Sequence, residues 1–156
     1  MNIKDYMRKV GVSKKKYVEV WLEKGLIPGV KEDENTGELF FPPSARRPYR
    51  PRLCNSAKAS TIRASILNAC LKREYISEKI YGMSKGEFLS FINDLLRSEL
   101  ISVRIEDGIT YYDSTIKSDM YEGKSLKAIK KFIIDCMGEI TEKAAYGTIK
   151  ALHEVA

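Results

Sequence analysis

Histidine is nearly absent from this chain: His153 is the only one among 156 residues, and no Ser or Cys nucleophile signature surrounds it. Nucleophile–base catalysis therefore has little to work with. Cysteine is scarce as well. Cys54, Cys70 and Cys136 stand far apart, with neither a CxxC pair nor a His cluster to complete a zinc site. They read as free, structural thiols of a reducing compartment. The phosphate-cradling GxxxxGK[ST] and the dinucleotide GxGxxG are both missing. Carboxylates are plentiful but scattered, so no catalytic pair can be argued. No enzymatic activity, cofactor or metal is expected. No apolar run approaches the ~20 residues of a membrane span, so no membrane partner is expected. The opening MNIKDYMRKV carries charges inside every candidate apolar core, unlike a secretory signal. Cytoplasmic residence is the default expectation.

What is present is positive charge, and it is unevenly placed. Residues 1–59 carry 13 Lys and Arg against 7 Asp and Glu, while residues 60–156 carry 14 of each. The net charge of +6 therefore sits in the first 59 residues. Charge concentrated on one small module is the electrostatic footprint of a polyphosphate binder. A composition of 44% hydrophobic and 31% charged residues otherwise suits an ordinary globular chain.

Ile3, Met7 and Val10 share one face of a short helix that Gly11 ends. Ser13 is placed to cap a second helix running to about Lys24, with Tyr17, Val18, Trp21 and Leu22 as its apolar stripe. Lys14, Lys15 and Lys16 crowd its first turn, where cations oppose the helix dipole unless an anion compensates. Gly25 is a stop signal. Val30 and Lys31 open a strand, EDENTG turns, and Glu38 to Phe41 returns as a small wing. In PPSARRPYRPR four prolines exclude regular structure, and Arg46, Arg47, Arg50 and Arg52 are expected on an extended basic arm.

The second half predicts helices at about 60–73, 76–81 and from Ser84, where Ser84 and Glu87 form a capping box. ISVRIEDGITYYD then reads as a hairpin turning at Asp107–Gly108. One of the adjacent Tyr111 and Tyr112 is expected in the core and the other outward. Two C-terminal helices broken near Gly138 carry Leu126, Ile129, Phe132, Ile133, Met137, Ile140, Ala144, Ile149 and Leu152. They are expected to close the protein's own core or to form a homodimer interface. Arg63, Lys72, Arg73, Lys79, Lys85 and Arg104 add positive charge here, balanced by nearby acids.

The expected fold is thus mainly α with small β-hairpins: a winged helix-turn-helix module at 1–45, a basic Pro/Arg arm or linker at 46–59, and a second winged-helix-like module with the C-terminal helical pair at 60–156. Gly11-Val12-Ser13 followed by Trp21-Leu22-Glu23-Lys24-Gly25-Leu26-Ile27-Pro28-Gly29 resembles the DNA-binding domain of MerR-type and phage excisionase-type regulators. Phe41-Pro42, Ala45-Arg46 and Pro48-Tyr49 resemble the end of the wing in small excisionase-like proteins. The second half is more loosely similar to winged-helix repressors through Leu96 to Ile101 and the wing Gly108 to Tyr112. In the family the second helix enters the major groove and the wing meets the backbone or minor groove. The resemblance therefore implies a sequence-specific double-stranded DNA-binding protein of bacterial or phage origin, a transcriptional regulator or recombination-directionality factor. Its DNA-binding residues would be Lys14, Lys15, Lys16, Tyr17, Lys31, Arg46, Arg47, Arg50 and Arg52. Ser13 and Trp21 lie one residue further apart than the family pattern, so Lys14 or Lys15 starts the helix. The alternative is a phage or mobile-element effector whose C-terminal half binds and inhibits a host protein.

Overall fold

Asn2 opens the first helix by accepting the Asp5 backbone N–H on its side chain at 2.8 Å, and α1 runs Ile3–Val10. The second helix, α2, spans Lys15–Glu23 and has no such cap. Lys14, not Ser13, occupies the N-cap position, and its side chain cannot accept a hydrogen bond. This corrects the expected Ser13 cap and agrees with the later start that the Ser13–Trp21 spacing demands. The helix ends in a Schellman arrangement: the Leu26 N–H donates to the Trp21 carbonyl at 2.9 Å and the Gly25 N–H to Leu22 at 3.1 Å. Gly25 has the φ of +69° that this ending requires.

A short antiparallel pair follows, β1 (Lys31–Glu32) with β2 (Leu39–Phe40). The Asp33 side chain holds its turn by accepting the N–H groups of Asn35 and Thr36. Tyr6, Val18, Ile27, Phe41 and Ala45 form the buried core of this first half, with Trp21 and Leu22 packed at its edge. The Tyr6 and Phe41 rings stack at 4.6 Å.

The computed structural model describes residues 1–53 and 56–137. Among them the chain is mainly α with two small antiparallel sheets. The second half contains α3 (Ala59–Leu71), α4 (Glu78–Tyr81), α5 (Lys85–Arg97), β3 (Ile101–Glu106), β4 (Ile109–Ser114), α6 (Ile116–Asp119) and a helical stretch, α7, at 126–137. The Ser84 hydroxyl accepts the Glu87 N–H at 3.2 Å and so starts α5 as expected. The β3–β4 ladder runs from Ile101↔Ser114 to Glu106↔Ile109, and Asp107 and Gly108 both take positive φ, the type I′ turn that Asp–Gly favours. On α7, Ile129, Ile133 and Cys136 are buried at i, i+4 and i+7 and close the second core over α3 and α5. The expected second C-terminal helix, with Ile140, Ala144, Ile149 and Leu152, lies outside the described residues, as do Cys54 and His153. Cys70 and Cys136 are buried, and burial raises the Cys70 thiol pKa.

The expected free arm is corrected at residues 46–49. The Arg46 guanidinium pairs with the Asp113 carboxylate at 2.7 Å and lies 4.6 Å from the centre of the Tyr111 ring. The Tyr49 N–H donates to the Tyr75 carbonyl, the Tyr75 N–H donates to the Arg47 carbonyl, and the Tyr49 ring is buried in the second core. These four residues therefore staple the halves together. Both Tyr111 and Tyr112 are buried, where only one was expected in the core. β4 explains this, because it is covered on both sides: Tyr112 faces the second core, while the Tyr111 hydroxyl lies 3.0 Å from that of Ser44 in the first half. Gly29 marks the same junction. A Cβ there would stand 2.9 Å from Pro42 and 3.0 Å from Ile109, distances that only glycine tolerates.

Candidate nucleic-acid interface

Burying Val18 and packing Leu22 against the same core fixes the rotation of α2 and so decides where its other residues point. At 100° per residue, Lys16, Val20 and Lys24 form one stripe (i, i+4, i+8), flanked by Tyr17 and Trp21. These five residues line one wall of an open groove of about 1610 Å³. The chain from Arg47 to Leu53 forms its floor, and the second half supplies the facing wall through Ser65, Asn68, Lys72, Lys79 and Ile80. Glu19 and Glu23, the two acids of α2, lie off the lining, as do the acids of the β1–β2 turn.

The expected site residues are therefore divided by the fold. Lys16, Tyr17, Arg47, Arg50 and Arg52 come together around the groove, with Tyr17 48% exposed to solvent. Lys14 and Lys15 are exposed but outside it, and so is Lys31 on β1. Arg46 is the clear departure. Its charge is matched by Asp113 and its side chain is only 15% exposed, so it serves the junction between the halves. An arginine committed to a carboxylate in this way is not free for phosphate.

Sequence reasoning missed three groove cations: Lys24, Lys72 and Lys79. Lys24 was legible as the third member of the Lys16–Val20–Lys24 stripe. Lys72 and Lys79 were hidden by averaging, because the second half sums to zero charge. The structure separates its cations. Arg63 pairs with Asp94 at 2.9 Å, and Arg104 pairs with Glu106 and Asp113. Lys72 and Lys79 have no salt bridge among the described residues.

Among the described residues the groove thus gathers seven cations (Lys16, Lys24, Arg47, Arg50, Arg52, Lys72 and Lys79) against a single acid, Glu74. None of the seven forms a salt bridge among the described residues. Three stand over aromatic rings at 5.9 Å: Lys16 over Tyr17, Arg47 over Trp21 and Lys72 over Tyr49. A ring face steadies a cation without cancelling its charge, unlike a carboxylate. Burial raises the Glu74 pKa, with Lys72 and Arg47 pulling it back, so the one acid of the groove holds its charge less firmly than an exposed Glu.

No protein-family model, curated protein or solved structure matches this chain. The groove's own chemistry carries the functional argument. Among the described residues no cluster of three or more His, Cys, Asp or Glu gathers to hold a metal, and no helix is long and apolar enough to cross a membrane. Like charges facing one another without counter-charges raise the energy of the empty groove. A polyanion lowers it.

Proposed function

We propose that this protein binds double-stranded DNA and acts as a sequence-specific regulator or recombination-directionality factor of bacterial or phage type. In this reading α1, α2 and the β1–β2 hairpin are a small winged helix-turn-helix. The single observation that carries it is the set of seven cations around one groove beside α2, none in a salt bridge among the described residues, with one partly desolvated acid among them. Phosphate contacts supply affinity and set the orientation on the duplex. Lys16, Arg47, Arg50 and Arg52 are the cations for that role. Tyr17, exposed on the same stripe, is placed to meet sugars or base edges. Lys14 and Lys15, at an uncapped helix start, add a longer-range attraction that speeds encounter.

Fluorescence anisotropy on a mixed-sequence duplex tests the reading. Binding should tighten steeply from about 200 to about 50 mM salt, with log K falling by roughly 0.9 per phosphate contacted. Lys16→Glu combined with Arg50→Glu should abolish that binding while the fold persists by circular dichroism. A folded double variant with wild-type affinity would exclude the groove as the site. A chain that binds single strands more tightly than duplex would exclude the duplex as its ligand.

A further inference from the structure

We infer that one phosphate strand of the duplex passes between the two halves of the chain, gripped by Lys16 and Arg47 on one side and by Lys72 and Lys79 on the other. The inference rests on the DNA-binding reading above. It goes further by making the second half, neutral in total charge, a direct DNA ligand.

Three observations converge on it. First, the two lysines are positioned by structure, not by a loose tail. Lys72 is the C-cap of α3 and stands over the Tyr49 ring, while Lys79 lies on α4. Lys79 reaches across to the first half, where its Nζ would lie 3.1 Å from a Cβ on Gly25, the residue that terminates α2. The negative end of the α2 dipole favours a cation there, yet a dipole end leaves the ammonium's charge uncancelled.

Second, the facing walls carry the same sign. Like charges repel one another even at the dielectric of water, the more so the closer they stand. A phosphate between them turns each of those repulsions into an attraction to itself.

Third, size favours a polymer. At about 1610 Å³ the groove exceeds the roughly 300–1,000 Å³ of a small-molecule site. Its lining continues from α2 along the 47–53 chain to α3 and α4, which suits a strand that enters and leaves. A strand held this way bridges the halves, as the Arg46–Asp113 pair already does. DNA should therefore resist their separation.

The test is the salt dependence of the full-length protein on a fluorescein-labelled mixed-sequence duplex. Neutralising both lysines (Lys72→Ala with Lys79→Ala) should flatten the slope of log K against log salt by about 1.8, the loss of two phosphate contacts. Retaining the charges (Lys72→Arg with Lys79→Arg) should keep the wild-type slope. Removing two lysines away from the groove (Lys85→Ala with Lys131→Ala) should leave the slope unchanged for the same loss of net charge. Thermal melts establish that each variant folds, and Lys79→Gln replaces Lys79→Ala should the latter loosen the end of α2. A wild-type protein with a steep slope and a neutralised variant with the same slope would overturn this inference and leave the DNA reading standing. Equal flattening in the Lys85/Lys131 control would overturn it too, reducing the effect to net charge. A wild-type protein that does not bind duplex at about 50 mM salt would overturn both.

Discussion

The chain presents two basic surfaces, and the way each treats its cations separates them. In the groove between the halves, Lys16, Arg47 and Lys72 rest on aromatic rings and keep their charge. A second, smaller basin of about 590 Å³ gathers Lys9, Arg46, Arg73 and Arg104 with Glu106 and Asp107. There Arg46 and Arg104 share Asp113, Arg104 also reaches Glu106, and the Lys9 ammonium donates to the Pro43 carbonyl. Both surfaces would look alike in a tally of lysines and arginines. In the basin, positive charge stabilises the junction of the two halves. In the groove it is left uncancelled, which favours an outside anion. Available charge, not total charge, decides what a surface can offer an outside anion.

The largest way to break this comparison is charge reversal. Lys16→Glu with Arg47→Glu should weaken duplex binding by roughly 100-fold, about 2.7 kcal/mol, at moderate salt, with little change in thermal midpoint. Equal binding by that variant would remove the groove from the account. The basin should behave in the opposite sense. Arg46→Ala strips a partly buried, charge-assisted pair and leaves Asp113 with only the more distant Arg104. It should cost about 2 kcal/mol, lowering the melting midpoint by roughly 4–8 °C for a chain of this size. Its DNA salt slope should stay at the wild-type value, because the Arg46 charge is already matched by Asp113.

Two smaller effects sharpen the contrast. Glu74→Gln removes the one acid of the groove and should tighten duplex binding by about threefold in the same anisotropy assay. Its raised pKa sets the sign of the pH dependence: the folded state holds the Glu74 proton more firmly than the unfolded chain, so this group favours folding more at low pH than at neutral pH. In the Gln variant that share of the pH dependence of stability should disappear from the melts. The smallest effect belongs to Lys14. Giving α2 the cap it lacks, through Lys14→Ser, should add about 0.5–1 kcal/mol of stability. It should leave the DNA salt slope nearly unchanged, since Lys14 lies off the groove.

Much of the local structure was readable in the chain because it is encoded locally. Gly25, Gly82 and the Asp107–Gly108 turn supply the left-handed backbone their positions need, and Ser84 supplies a cap. The two small hairpins and the helix periodicities follow from signals of the same range. Tertiary context decided the rest. The Arg46 segment reads as a free arm because its four prolines forbid helix and strand, yet such a chain can still be pinned edge-on, as the Pro48–Tyr75 bridge shows. Only one of Tyr111 and Tyr112 reads as a core residue because the sequence reading assumes a sheet covered on one face, and here the first half covers the other. Lys72 and Lys79 read as cations balanced by nearby acids for a related reason. Their neighbours across the groove, Lys16 and Arg47, belong to the other half of the chain, so no short window around them reveals the company they keep.

Lysine acetylation footprinting, read by mass spectrometry with and without duplex DNA, tests the central claim in a single measurement. The account predicts that DNA shields Lys16, Lys24, Lys72 and Lys79, while Lys9, Lys85 and Lys131 react as in the free protein. Shielding confined to Lys14, Lys15 and Lys31, with Lys72 and Lys79 still reactive, would place DNA on the outer side of α2 and contradict it.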